Sequence, residues 1–486
     1  MYDVIVVGGG PAGVTAALRA RELGASVALV EKDRMGGTCT NDGCVPTRAL
    51  AKAARLVRDA QQFDEYAIDG DVGDVDLEGL LARTQQIVYT VHEKKQLLQH
   101  LQDAGVDVFA EVGGARFADA HTLALPDGRQ LQAQKFILCA GGFARRIDFP
   151  GSEYALTHHD VWSMKTLPRS MAIVGGAATG CQLASIFSAF GTKVSLLETS
   201  PRILAAEDEI ISQTIHEVFR RREIDIFCGI QGVDSIEKRE EGLRLHFRRS
   251  DEGQALDVEA VILAVGWVGH GDNLNVAAAG IETYRGYVPV NDQLQSPVPH
   301  IYVAGDLNGR MMLVQSAGYE ARIAAENAVL GGELRYEHKI VPHGGFTDPE
   351  YGSVGLTETQ ARAAFDCLVA TVPYKDIDRA VIDGYIDGYC KLIVSVETHR
   401  ILGAHVVGEQ AVEVVQIVAA GMAADMWVEQ LAELELAYPT YTAIVGLAAR
   451  QLVRELGVIP LMPEWRSLDR VRLRGYEWER SSGQVT

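Results

Sequence analysis

The sequence predicts an α/β fold, with two Rossmann-like dinucleotide-binding units followed by a C-terminal α+β domain. Three observations carry that expectation. An apolar strand from Tyr2 to Val7 runs into Gly8-Gly9-Gly10-Pro11-Ala12-Gly13 and then a helical stretch. A second strand, from Met171 to Val174, runs into Gly175-Gly176-Ala177-Ala178-Thr179-Gly180 in the same way. Beyond about Tyr336, strand-like alternation separates two helical stretches, which reads as α+β.

In the first unit, Gly8 makes the turn, Gly10 lets backbone approach a pyrophosphate, and Gly13 permits close helix–strand packing. The helix from Val14 to Leu23 leads to a strand from Ser26 to Val30 that ends at Glu31, placed to accept from a ribose hydroxyl. Next comes Gly36-Gly37-Thr38-Cys39-Thr40-Asn41-Asp42-Gly43-Cys44-Val45-Pro46. Residues five apart in a regular helix lie about 7.5 Å apart along its axis, and a disulfide needs Cα atoms within roughly 7 Å. Cys39 and Cys44 can therefore pair only through irregular backbone, which Asn41, Asp42 and Gly43 permit. A structural bridge or two unrelated thiols is the plainer reading of that spacing. A helix from Arg48 to Ala60 would set both thiols near an N-terminus that favours thiolate.

A long helical pattern from Asp74 to Gln102 follows, and the strand Phe136-Ile137-Leu138-Cys139 enters the turn Ala140-Gly141-Gly142 with Cys139 as a core residue. Pro150-Gly151 marks a boundary. In the second unit Ala177 replaces the middle glycine, so its methyl crowds a pyrophosphate. The strand from Lys193 ends at Glu198, which would bind a ribose 2′-hydroxyl and repel a 2′-phosphate, favouring NADH, while nearby Arg202 keeps NADPH open. The strand Ala260 to Val265 closes this unit, and Ile301-Tyr302-Val303-Ala304-Gly305-Asp306 brings an aspartate to a strand's carboxyl end before a helix from Met312 to Leu330. The expected division is 1–150 with 270–335 returning to it, 151–269, 336–456, and a surface tail over 457–486 rich in arginine (Arg466, Arg470, Arg472, Arg474, Arg480).

The totals bound the chemistry. A formal charge of −20 over 486 residues argues against nucleic acid and anionic membrane as partners. Seven scattered cysteines fit a reducing compartment with one special pair. The strand at Tyr2 leaves no room for a signal peptide, and no long uncharged apolar run is present, so a cytoplasmic protein is expected.

Taken in order, the two nucleotide units, the Cys39–Cys44 stretch, Ala304-Gly305-Asp306, and Phe346-Thr347-Asp348-Pro349-Glu350 with Ser353-Val354-Gly355 resemble one family. It is that of the class I pyridine nucleotide–disulfide oxidoreductases, which includes dihydrolipoyl dehydrogenase, glutathione reductase and mercuric reductase. The resemblance runs from Tyr2 to about Leu456. It implies FAD on the first unit, at Gly8, Gly10, Gly13, Glu31, Gly37, Thr38, Arg48, Ala140, Gly141 and Asp306, and NAD(P)H on the second, at Gly175, Gly180 and Glu198. It also implies a homodimer formed by the C-terminal domain, no metal cofactor, and electron flow from NAD(P)H through the flavin to a Cys39–Cys44 disulfide. Cys44 would hold a thiolate against the flavin and Cys39 would attack the substrate.

The chain departs from that pattern in three places. Tyr438 and Ala443 stand where dithiol-reducing relatives carry a His–Glu pair that protonates the leaving thiolate, and a tyrosine of pKa about 10 is a poor shuttle near neutrality. Tyr438 is the candidate replacement donor, with packing the plainer role for Tyr438 and Tyr441 alike. Arg48 and Gln182 replace a lysine and a glutamate near the flavin. Mercuric reductases also lack the His–Glu pair, but this chain ends Ser-Ser-Gly-Gln-Val-Thr, without a vicinal cysteine pair. The expected function is FAD-dependent reduction of an atypical disulfide or thiol-reactive substrate. Soft-metal reduction, quinone reduction at the flavin, and a non-catalytic redox-sensing flavoprotein are the alternatives.

Overall fold

A computed structural model describes residues 1–458 except 72, 338 and 339. The tail arginines lie outside the described residues. The chain forms two compact units, 1–348 and 349–486.

The first unit contains a mixed seven-stranded sheet, parallel except where Thr122–Ala124 and Arg116–Asp119 extend it antiparallel, and a parallel five-stranded sheet. In the first, the strands run in the order Asp107–Phe109, Val27–Val30, Tyr2–Val7, Gln130–Leu138, with Ile301–Val303 pairing parallel to Gln130–Leu138. Alternation along Tyr2–Val7 assigns the two faces: Val4 and Val6 pack in one apolar cluster, Ile5 and Val7 in another. The first cluster is covered by helices Pro11–Glu22 and Val314–Leu330. Their facing alanines (Ala16, Ala17 and Ala20; Ala321, Ala324 and Ala328) are buried, which lets two helix backbones lie close over one sheet.

The parallel sheet runs Asp225–Cys228, Lys193–Glu198, Ser170–Val174, Ala260–Leu263, Leu156–Thr157. An antiparallel meander of Ile230–Lys238, Leu243–Arg249 and Glu252–Val258 stands beside it. Helix Ala178–Ala189 follows its glycine turn.

The second unit is α+β. Its antiparallel strands run Glu350–Gly355, Ile401–Gly408, Tyr389–Ser395, Cys367–Pro373. Helices Ala411–Ala423 and Ala443–Glu455 bury apolar faces in this unit. No helix among the described residues is long and apolar enough to cross a membrane.

Several expected helices take different bounds: the first runs Pro11–Glu22 rather than Val14 to Leu23, and the one expected from Met312 starts at Val314. The helix after the cysteines starts at Cys44, not Arg48, and runs to Ala60. Pro46 sits in its first turn, where a missing N–H costs no intrahelical bond. The stretch from Asp74 to Gln102 divides into Leu77–Lys95 and Leu97–Asp103, because Gln96 adopts a left-handed conformation (φ 45°).

Candidate active site

Both glycine turns have one geometry. Gly8 has φ +109° and Gly175 φ +112°, a region that favours glycine. A Cβ on Gly13 would lie 1.7 Å from the Gly8 carbonyl oxygen, and one on Gly180 would lie 1.8 Å from that of Gly175. Glycine at both positions is therefore a packing requirement. Gly9 N–H donates to Glu31 at 2.6 Å, and Gly176 N–H donates to Glu198 at the same distance. The other carboxylate oxygens accept from Asp33 N–H at 2.8 Å and Ser200 N–H at 2.7 Å. Each carboxylate is thus aimed by backbone and retains acceptor capacity for a hydroxyl. Hydrogen bonds from Ser200 and Gly176 hold the Glu198 carboxyl below its ordinary range against the opposing effect of its burial.

The residues present fit two dinucleotides. Helices Pro11–Glu22 and Ala178–Ala189 have no side-chain cap, leaving their first N–H groups for an anion. A Cβ on Gly10 would meet nothing nearer than the Gly37 Cα at 3.7 Å, so the space over that helix terminus is open. Ala177 takes nearly the backbone conformation of Gly10 (ψ −171° against −176°), so its methyl alters the surface without altering the turn. Asp306 begins beyond the strand Ile301–Val303; burial raises its carboxyl above the ordinary range, opposed by a hydrogen bond from its own N–H. Such a carboxyl suits a polyhydroxylated chain such as the ribityl of FAD.

Gly37, Thr38 and Cys39 belong to a five-residue helix, Gly37–Asn41, and Cys44 opens the next. Gly43 joins them: its N–H donates to the Thr38 carbonyl at 2.7 Å, and a Cβ there would approach that oxygen to 2.9 Å. This folded-back connection is the irregular backbone that the spacing required. Both cysteines are free thiols, and Cys44 rather than Cys39, the sulfur expected to be exposed, is the more accessible. The Cys39 thiol donates to Cys44, and that hydrogen bond lowers the Cys44 thiol to about 7 while raising Cys39. The hydrogen bond to its own N–H also favours the Cys44 thiolate. We expect the reduced pair to release its first proton near pH 7. Alkylation by iodoacetamide should climb about tenfold per pH unit below 7 and level off above it; a midpoint near the free-thiol value would contradict the geometry.

Four side chains that hold this turn were not among the sequence candidates. His92 contacts Asn41 at 2.7 Å and Lys95 donates to Thr40 at 3.2 Å, both from helix Leu77–Lys95. His159 pairs with the Asp42 carboxylate, and Trp162 donates to the Asp42 carbonyl at 2.9 Å. These contacts link residues 51 to 120 apart, so no local pattern announces them.

Arg48 lies over the Phe346 ring, 4.6 Å from its centroid, and Phe346 N–H donates to Gln182 at 3.0 Å. The two substituted positions thus meet at one residue. Asp348 bridges Arg58 at 2.6 Å and Arg222 at 3.0 Å, while its N–H donates to Ser185 at 3.0 Å. Ala140 and Gly141 follow the strand Gln130–Leu138, with Gly141 at φ +67°. Cys139 is buried as expected, and burial raises its thiol.

Arg202 is anchored to its own loop. Its guanidinium donates to the carbonyls of Leu204, Ala205 and Glu207 at 3.2, 2.9 and 2.9 Å. Tyr438 lies in the second unit, 77% exposed, its hydroxyl donating to Asp378, which raises its pKa. Packing suits Tyr441, which is buried and donates to Asp383, whereas Tyr438 is not packed within its own chain.

A family model described as pyridine nucleotide-disulphide oxidoreductase matches residues 2–321, and the dimerisation domain of the same family matches residues 341–449. A dihydrolipoyl dehydrogenase of Chlorobaculum parvum is 31% identical over 464 residues, 94% of this chain and 98% of its own. A mercuric reductase of Lysinibacillus sphaericus is 28% identical over 452 residues, 92% of this chain and 82% of its own. Among solved structures, the HOCl-induced flavoprotein disulfide reductase RclA from Escherichia coli superposes with a TM-score of 0.82 at 27% identity, covering 92% of this chain and 99% of its own. Its Cu(II) complex matches with the same TM-score and identity, covering 93% and 99%.

Proposed function

The chain belongs to the pyridine nucleotide–disulphide oxidoreductase family, and from that premise we propose that it uses NADH to reduce a disulfide or thiol-reactive substrate through Cys39 and Cys44. Flavin dependence and use of NAD(P)H come with the family. The observation that carries the cysteine route is the folded-back turn that holds two thiols in hydrogen-bonding contact, with Cys44 lowered to about 7. FAD supplies conversion of a two-electron hydride donor into reduction of a disulfide. Glu31 and Asp306 would hold it, Glu198 would hold the nicotinamide nucleotide, and a homodimer would form through the second unit.

In the substrate half-reaction, Cys39 passes its thiol proton to the Cys44 thiolate as it attacks one substrate sulfur, and the substrate sulfur expelled as thiolate takes that proton from Cys44. Cys44 then attacks Cys39, expels the second substrate thiolate and restores the Cys39–Cys44 disulfide. Two electrons leave the cysteine pair and two substrate thiols form. Cys44 is the group already poised as thiolate, and Gly43 keeps it within reach of Cys39. NADH would be favoured over NADPH, a reading supported by the Glu198 carboxylate held beside the Gly176 turn and by the three carbonyls that engage Arg202.

Reduction of a soft or borderline metal ion is the second reading. It is favoured by the absence of a His–Glu pair at Tyr438 and Ala443, and by relatives described as a mercuric reductase and as a Cu(II) complex. A metal held by thiolates needs no proton donor. A cytoplasmic setting fits the scattered free thiols.

Anaerobic titration with NADH, following the flavin spectrum and counting thiols, tests the reading. The expected result is two new thiols with a long-wavelength thiolate–flavin band before the flavin bleaches. Bleaching without new thiols would overturn the cysteine route and turn attention to quinones.

A further inference from the structure

The function proposed above requires the reduced Cys39–Cys44 pair to hold a thiolate, and a thiolate near the Asp306 carboxyl needs a stabilising charge. We propose that Lys95 is the positioning residue that supplies it, a fixed cation held against the redox turn from the end of helix Leu77–Lys95.

The placement is built from both directions. Gln96 turns left-handed directly after Lys95, ending the helix there. His92, one turn earlier, contacts Asn41, so the same helix end grips the five-residue helix twice. Thr40, which accepts from the Lys95 ammonium, is fully buried and adjacent to Cys39. An ammonium tethered to a buried hydroxyl is held in place rather than left to solvent.

The other charged groups around the turn do not supply this charge. Asp306 is an anion that disfavours thiolate at both cysteines, while Lys95 favours it at both. Asp42 lies between the cysteines in sequence and is paired with His159. Desolvation, with Arg34 and Lys95 nearby, disfavours the charged form of His92. Arg48, on the helix that Cys44 opens, lies over the Phe346 ring, which leaves Lys95 as the cation set against Asp306. A fixed ammonium lowers the cost of the thiolate on the reduced cysteine pair, without carrying a proton itself.

The test uses the flavin-loaded protein with its cysteines reduced chemically, not by NADH, so that it does not depend on the nucleotide route. Iodoacetamide alkylation is followed against pH for wild type, Lys95→Met and Lys95→Arg. Lys95→Met should move the thiolate midpoint up by about one pH unit and cut the alkylation rate at pH 6 roughly tenfold. Lys95→Arg should stay near wild type. A Lys95→Met profile that superimposes on wild type would overturn the proposal. So would a Lys95→Arg profile shifted as far as Lys95→Met, which would mark a structural role. Failure of wild type to form thiols with NADH would instead count against the function, and is read in a separate experiment.

Discussion

Cys39→Ser is expected to lower kcat/KM for disulfide reduction by about 10³-fold or more, while NADH still reduces the flavin. A hydroxyl is far less acidic than a thiol and cannot form the mixed disulfide, so the first bond is never made. The damage should be confined to chemistry. Cys39 sits in a short helix whose fold depends on Gly43 and the Thr38 carbonyl, not on its own sulfur. Stopped-flow reduction of the flavin by NADH and steady-state turnover with the acceptor separate the two steps. Full turnover by the variant would mean that the acceptor takes electrons without Cys39.

Glu198→Ala is expected to raise KM for NADH roughly 10- to 100-fold, the range for losing a hydrogen bond to a charged group. Flavin content should be unchanged, because the matching carboxylate of the other unit is Glu31. The KM for NADPH should change less, since removing the anion also removes repulsion of a 2′-phosphate. Parallel measurement of both KM values, with flavin content as the control, checks this. Equal losses for the two nucleotides would place the effect in the Gly176 turn, which Glu198 also supports.

Both glycine turns were legible in the sequence because they are steric necessities: only glycine tolerates a neighbouring carbonyl where a Cβ would fall 1.7 or 1.8 Å away. The irregular backbone between Cys39 and Cys44 followed from the length of chain available. Helix ends were harder. Pro46 reads as a boundary, yet it lies inside the helix begun by Cys44, in the turn where proline is tolerated. The break at Gln96 carries no glycine or proline to mark it. Arg202 shows another limit: its proximity to Glu198 in sequence keeps NADPH open, but says nothing about the three carbonyls its guanidinium meets. His92, Lys95, His159 and Trp162 converge on the redox turn only through tertiary folding, so their roles were invisible before it.

Asp348 decides where the chain can be cut. A change in composition near Tyr336 suggests a seam, but a fragment ending there would lose both contacts that Arg222 makes with Asp348, the side-chain pair and the bond to its carbonyl. Ser185 would lose the N–H it accepts, and Arg58 would keep only its neighbour Asp59 of the two carboxylates described for it. A fragment ending after Asp348 retains all of these, so limited proteolysis of the native protein should release a first piece that carries this residue, twelve positions past the apparent seam.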